Sequence, residues 1–170
     1  MTNGNKIYII GFMASGKTSI GKKLANRLGY KFIDTDQWIE KKTGLKISEI
    51  FAIHGEAYFR KLEKEATKQI LEENYVVIST GGGLPCFNNN IKKLKKMGTV
   101  VFFKCGFETS WNRINSHKNR PLGSILSKNE LKQLYSDRLS IYNQADFTVL
   151  SNREITMVIK RILTLVNKKN

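Results

Sequence analysis

Cysteine, histidine and proline each occur only twice in the 170 residues. Cys86 and Cys105 lack the close spacing of a zinc site or a disulfide framework, and His54 and His117 are too isolated to complete a metal cluster. Linkers rich in Pro, Gly or Ser are missing, as are internal repeats and low-complexity tracts, so nothing divides the chain. No apolar run approaches the ~18 residues of a membrane span. The first six residues enter an apolar strand directly, without a signal-peptide pattern. The expectation is one cytoplasmic domain over residues 1–170 with an ordinary core and no membrane partner.

Acidic residues are also scarce: 14 against 29 Lys and Arg, for a formal net charge of +15. Such a balance attracts phosphate, and a nucleic-acid binder is one reading. The basic residues are spread over several helix faces, however, as in Lys92, Lys93, Lys95, Lys96 and Lys160, Arg161, Lys168, Lys169, with no aromatic-interleaved stripe. Solvated lysine surface plus a site for small anions fits that scatter better, so no nucleic-acid partner is expected. Arginine is scarcer than lysine: Arg27, Arg60, Arg113, Arg120, Arg138, Arg153 and Arg161 are all there are. In a chain that otherwise uses lysine, an arginine marks a place where a planar fork meets carboxylate or phosphate.

What is present starts with Gly11-Phe12-Met13-Ala14-Ser15-Gly16-Lys17-Thr18. It follows the apolar run Ile7, Tyr8, Ile9, Ile10 and leads into a helical pattern carrying Ile20, Leu24 and Leu28. A strand, a Gly-rich loop and a helix are the context in which G-x-x-x-x-G-K-[ST] binds the phosphates of a nucleoside triphosphate. Loop N–H groups and the positive end of the helix dipole face the anion. Lys17 reaches the β- and γ-phosphates, and the Thr18 hydroxyl is a Mg²⁺ ligand. A merely tight strand-to-helix turn is the bland alternative.

Apolar strands at 7–10, 31–34, 75–78, 100–103 and 147–150 alternate with helical patterns at 37–42, 48–54, 56–73, 89–96, 108–115 and 128–142. A last helix carries Ile155, Val158, Ile159, Ile162, Leu163 and Val166 as one stripe. Alternation of this kind predicts a parallel sheet covered on both faces, with ligands at the strands' carboxyl ends. Residues 11–18, 34–36 and 81–83 all fall at such ends. The polar stretch 116–127, with Arg120-Pro121 and Gly123, breaks both periodicities and reads as a lid.

Asp34 and Asp36 stand two apart just past a strand, where extended geometry would send both carboxylates into one cleft. Phosphoryl transfer uses one carboxylate near Mg²⁺ and often another for the acceptor's proton. Either Asp could instead cap the following helix. Arg60 and Glu63, at i and i+3, are a surface ion pair or a braced fork for a substrate carboxylate. Gly81, Gly82 and Gly83 suit a place where a ligand touches backbone.

Together, the phosphate loop, Asp34-x-Asp36, Phe59-Arg60-x-x-Glu63, Gly81-Gly82-Gly83, Arg120-Pro121-Leu122 and Arg138 resemble shikimate kinases in order and spacing over nearly the whole chain. The resemblance implies a P-loop NTPase-like three-layer α/β/α sandwich with a five-stranded parallel sheet. It would be nucleoside monophosphate kinase-like, with a mobile lid at 116–127 and a substrate-binding helical region at 35–63. It implies transfer of the ATP γ-phosphate to the 3-hydroxyl of shikimate, on the route to chorismate and the aromatic amino acids.

By the same resemblance, Asp36 binds the acceptor hydroxyls and is the candidate base, and Asp34 serves Mg²⁺ with Thr18. Arg60 and Arg138 hold the shikimate carboxylate over Gly81, Gly82 and Gly83, and Arg120 closes from the lid with Lys17 on the transferring phosphate. Ala14, Ser15, Gly16, Lys17, Thr18 and Ser19 form the ATP loop, with Arg113 and Arg153 on the adenine side. Two departures stand out: Ala14 where the family more often has Gly, and Gly123 where a second Leu is common. A gluconate or nucleoside monophosphate kinase, or a basic NTP-binding switch without kinase activity, are the competing readings. A monomer is expected.

Overall fold

The strand segments around Ile9, Val77 and Val101 are apolar at successive positions, not alternate ones, and so demand cover on both faces of a sheet. In the computed structural model, which describes residues 6–116 and 126–168, five strands meet that demand. They are β1 (Lys6–Ile10), β2 (Lys31–Asp34), β3 (Val76–Ser79), β4 (Thr99–Lys104) and β5 (Phe147–Leu150). All neighbours are parallel, in the order β2-β3-β1-β4-β5, with Ile9 opposite Ser79 on one side and Val101 on the other. The chain starts in the middle, builds one edge, crosses over β1 and builds the other. That crossing leaves a crevice at the carboxyl end of β1, where ligands gather in open α/β sheets.

Seven α-helices are found among the described residues: α1 (Lys17–Leu28), α2 (Thr35–Thr43), α3 (Ile47–Leu71), α4 (Asn90–Met97), α5 (Phe107–Ser116), α6 (Lys128–Tyr142) and α7 (Ile155–Asn167). Successive strand residues face opposite ways, so β1 feeds two cores. Ile7 and Ile9 pack with Ile20 and Leu24 of α1 and with Val158, Ile162 and Val166 of α7. Tyr8 and Ile10 pack on the other face with Ile70, Ile91, Leu94, Leu131 and Tyr142. Each fully buried aliphatic side chain contributes about 1.5–3 kcal/mol. The result is helix, sheet and helix in three layers, as the alternation predicts.

A third, smaller cluster joins Ile39 of α2 to Ile50, Phe59, Leu62 and Ala66 of α3. It gives the helical region at 35–63 an apolar anchor of its own. The two helical patterns expected at 48–54 and 56–73 form one path broken at Gly55, whose φ of 74° and ψ of 176° are not helical. α2 begins at Thr35, two residues earlier than its apolar pattern suggests, and a short 3-10 turn, Leu84–Cys86, follows the glycine triplet. No helix among the described residues is long and apolar enough to cross a membrane. Of the lid expected at 116–127, residues 117–125 lie outside the described residues, Arg120 and Gly123 with them.

Candidate active site

β1 ends at Ile10 and the chain turns through residues 11–16 into α1. Gly16 is the N-cap of α1, at φ 89°, a left-handed conformation natural to glycine, and it brings no side chain to cap the helix. The helix's first N–H groups and dipole therefore face the loop. Ala14 holds φ 60°, which costs an L-residue about 1–2 kcal/mol, so Ala at this position does constrain the loop. Its carbonyl accepts a bond from Arg113 Nη1 at 3.1 Å. Lys17 Nζ donates to the carbonyls of Gly11 (2.9 Å) and Phe12 (2.7 Å), which lays the ammonium over the loop. Ser15 is fully buried, while Ser19 is exposed and donates to the Gly16 carbonyl at 3.2 Å.

Asp34, the last residue of β2, is both a cap and a partner of the loop. Its Oδ1 accepts the N–H groups of Asp36 (3.1 Å) and Gln37 (3.2 Å), and its Oδ2 accepts the Thr18 hydroxyl at 2.7 Å. Because that capping starts α2 at Thr35, Asp36 lies in the first helical turn and not in extended chain. Asp36 therefore does not reach the cleft through extended i, i+2 geometry, as the sequence suggests, but from the first turn of α2. The Thr18 hydroxyl and the Asp34 carboxylate are hard oxygen donors 2.7 Å apart, close to the spacing of two neighbouring ligands on one small cation, a set that fits Mg²⁺.

Asp36 turns its Oδ1 toward Gly81, where that oxygen is buried without a hydrogen-bond partner among the described residues. Burial pushes its carboxyl up from 3.8 to about 7, the charges of Asp34 and Glu63 push the same way, and Lys17 opposes them. A carboxylate poised near neutrality is matched to taking a proton.

Arg60, on α3, is braced on both sides: Nη1 donates to Glu63 Oε2 at 2.5 Å, and Nη2 and Nε donate to Glu56 Oε1 at 2.8 and 3.1 Å. Its guanidinium also lies 3.6 Å from the Phe87 ring centroid. Glu63 is only 5% exposed at its side chain, so this is no solvated surface pair. Burial raises the Glu63 carboxyl, with Arg60 pulling it back.

The glycine triplet is the floor beneath these groups. A Cβ on Gly83 would stand 3.0 Å from both Arg60 Nη atoms, one on Gly82 would stand 3.5 Å from Arg138 Nη1, and one on Gly81 would stand 2.5 Å from Asp36 Oδ1. One proton acceptor and two guanidiniums therefore converge on bare backbone at the end of β3. Gly81→Ala is expected to displace the Asp36 carboxylate and lower turnover by roughly 100-fold with the fold retained. Steady-state rates beside a circular dichroism melt check this; an Ala variant with near-normal turnover contradicts the tight fit.

Arg113 lies on the other flank of the phosphate loop, and Arg153 lies exposed in the turn between β5 and α7. Four residues with a part in this geometry are not singled out by the sequence motifs. Buried Thr35 accepts the Gly81 N–H at 2.8 Å, and Phe87 underlies Arg60. Tyr135 donates to the Cys105 carbonyl at 2.8 Å, and Tyr142 to the Gly82 carbonyl at 2.6 Å. Tyr135, Arg138 and Tyr142 follow 3-4 spacing on α6, the one legible signal that they share a face.

A family model described as shikimate kinase matches residues 13–167. The shikimate kinase of Persephonella marina is 46% identical over 145 residues, covering 84% of this chain and 87% of its own. Among solved structures, the shikimate kinase from Acinetobacter baumannii in complex with shikimate superposes with a TM-score of 0.90 at 33% identity, covering 98% of this chain and 94% of that one. A gluconokinase from Sinorhizobium meliloti 1021 matches with a TM-score of 0.61 at 16% identity over 99% and 95% of the two chains, a likeness of fold alone. With the motifs, the sheet order and this coverage in agreement, the chain belongs to the shikimate kinase family.

Proposed function

We propose that this protein transfers the γ-phosphate of ATP to the 3-hydroxyl of shikimate, giving shikimate 3-phosphate and ADP. The observation that carries the reading is the convergence of Asp36, Arg60 and Arg138 on Gly81, Gly82 and Gly83, beside a phosphate loop. A gluconate acceptor also has a carboxylate and hydroxyls. The Arg60–Glu63 pair and the glycine floor match the shikimate kinase pattern instead.

The chemistry is positioning plus charge neutralisation. The loop of Ala14, Ser15, Gly16, Lys17, Thr18 and Ser19 holds the β- and γ-phosphates, with the Lys17 ammonium offsetting their charge. Thr18 and Asp34 would hold Mg²⁺, directly or through water, and the ion would supply further charge neutralisation across those phosphates. Arg60 and Arg138 grip the acceptor carboxylate, which fixes the ring over the glycine floor. Asp36 orients the 3-hydroxyl and accepts its proton as the new O–P bond forms and the β–γ bridging bond breaks, releasing ADP. Arg113 and Arg153 serve the adenine side, and Arg120 closes from the lid on the transferring phosphate. Residues 1–170 form one cytoplasmic domain that works as a monomer, with a lid at about 116–127 and without nucleic-acid or membrane partners.

The test is ADP release from Mg²⁺-ATP with shikimate, gluconate or nucleoside monophosphates as acceptors. Shikimate-dependent turnover alone supports the reading. Turnover with another acceptor only would reassign the carboxylate clamp, and salt-sensitive RNA binding without turnover would favour a regulatory switch.

A further inference from the structure

The glycine triplet has no side chains with which to hold its own shape, so the bonds from outside decide it. Thr35 fixes the Gly81 N–H, and Leu84 and Cys86 donate from the following turn to the carbonyls of Gly81 (3.1 Å) and Gly83 (2.9 Å). The carbonyl of Gly82, in the middle, is held from the far side of the sequence by Tyr142. Tyr142 closes α6 one turn beyond Arg138 and is wholly buried, its ring 5.2 Å from that of Phe102 on β4. Core packing therefore places this hydroxyl, with no adjustable surface contact involved.

In a trans peptide the N–H lies antiparallel to the C=O. A Gly82 carbonyl turned to Tyr142 thus turns the N–H of Gly83 away from Tyr142, and the Arg60 and Arg138 guanidiniums lie against these same two glycines. The helix that carries Arg138 thereby also sets the peptide beneath it. We propose that Tyr142 is a positioning residue for the acceptor: its hydroxyl locks the Gly82–Gly83 peptide in register with Arg138, so that α6 fixes its half of the carboxylate clamp and the peptide beneath it as one rigid piece. This rests on the functional reading above.

α6 supplies its own control. Tyr135, two turns earlier, spends its hydroxyl on the Cys105 carbonyl, and the Cys105 sulfur lies 3.8 Å from Arg113 Nη1 on the nucleotide side. Tyr142→Phe and Tyr135→Phe each delete a phenol-to-carbonyl bond from one helix and keep the ring, and Tyr142→Phe also removes the hydroxyl's bond with Arg138. Tyr142→Phe is expected to raise the KM for shikimate about 10-fold, the scale of one buried hydrogen bond, and to leave the KM for ATP within about two-fold. Tyr135→Phe is expected to leave the shikimate KM within about two-fold. A purely structural Tyr142 would lower Tm without separating the two KM values.

Amide hydrogen exchange at residues 81–83 gives a readout independent of turnover. Shikimate should slow it in the wild type and slow it less in Tyr142→Phe. A wild type that uses shikimate beside a Tyr142→Phe variant with unchanged shikimate KM and unchanged protection overturns this proposal alone. A wild type that ignores shikimate overturns the functional reading first, and this one with it.

Discussion

Asp36→Asn is expected to lower turnover by roughly 1000-fold, within the range of a lost general base, and to make the protein more stable at pH 8. Both effects come from one buried oxygen. Asp36 Oδ1 has no hydrogen-bond partner among the described residues, and burial, with Asp34 and Glu63 nearby, pushes the carboxyl from 3.8 to about 7. Between those two values the folded protein binds a proton that the unfolded chain has already released. Stability therefore falls as pH rises through that window, and the whole penalty is present above it. Asn carries no charge, so its advantage should be small near pH 4 and largest at pH 8, on the order of 4 kcal/mol for a carboxyl raised from 3.8 to about 7. For a chain of this length that is a Tm gain of roughly 8–16 °C. Thermal melts across pH, without Mg²⁺ or nucleotide, measure it; near-normal turnover would remove Asp36 from the mechanism.

Arg60→Ala combines a binding effect with a folding effect. Two charge-assisted bonds to the acceptor carboxylate are lost, which raises the KM for shikimate by roughly 100-fold or more while the KM for ATP stays within a few-fold. Glu63, with 5% of its side chain exposed, is left buried beside no guanidinium of α3. Removing one partner of a buried pair costs about 3–5 kcal/mol. Arg60→Ala with Glu63→Gln should recover much of that stability and none of the shikimate affinity. Calorimetric binding and thermal melts on the single and double variants separate the two effects. An unchanged shikimate KM would contradict the clamp.

Local chemistry was legible in the chain; long-range pairing was not. The phosphate loop reads directly because its spacing is its chemistry, and Lys17 and Thr18 lie where that spacing puts them. The three central strands read because a buried parallel strand has to be apolar at successive positions, and the half-exposed edge strands β2 and β5 read from their place in the strand–helix alternation. Scarcity pointed to arginines, and Arg60, Arg113 and Arg138 do lie against the loop or the glycine floor.

The path of Asp36 did not read correctly. An apolar pattern starting near residue 37 hides a helix that begins at Thr35; the sequence leaves a capping Asp open, and only the fold shows that it is Asp34 and that the same carboxylate also holds Thr18. Arg60 and Glu63 look like any i, i+3 surface pair until Phe59 and Leu62 draw their stretch of α3 into the small cluster with Ile39. Tyr142 looks like one more apolar position of α6, because its partner Gly82 is 60 residues away.

The most direct test of the whole account is to compare shikimate with its methyl ester as acceptors for Mg²⁺-ATP, following ADP release and locating the new phosphate by phosphorus–proton NMR. A site built on Arg60, Arg138 and Asp36 should phosphorylate shikimate at the 3-hydroxyl alone and lose roughly 100-fold or more in kcat/KM with the ester. Equal use of the ester, or a phosphate on another hydroxyl, would contradict the carboxylate clamp and the placement of the base.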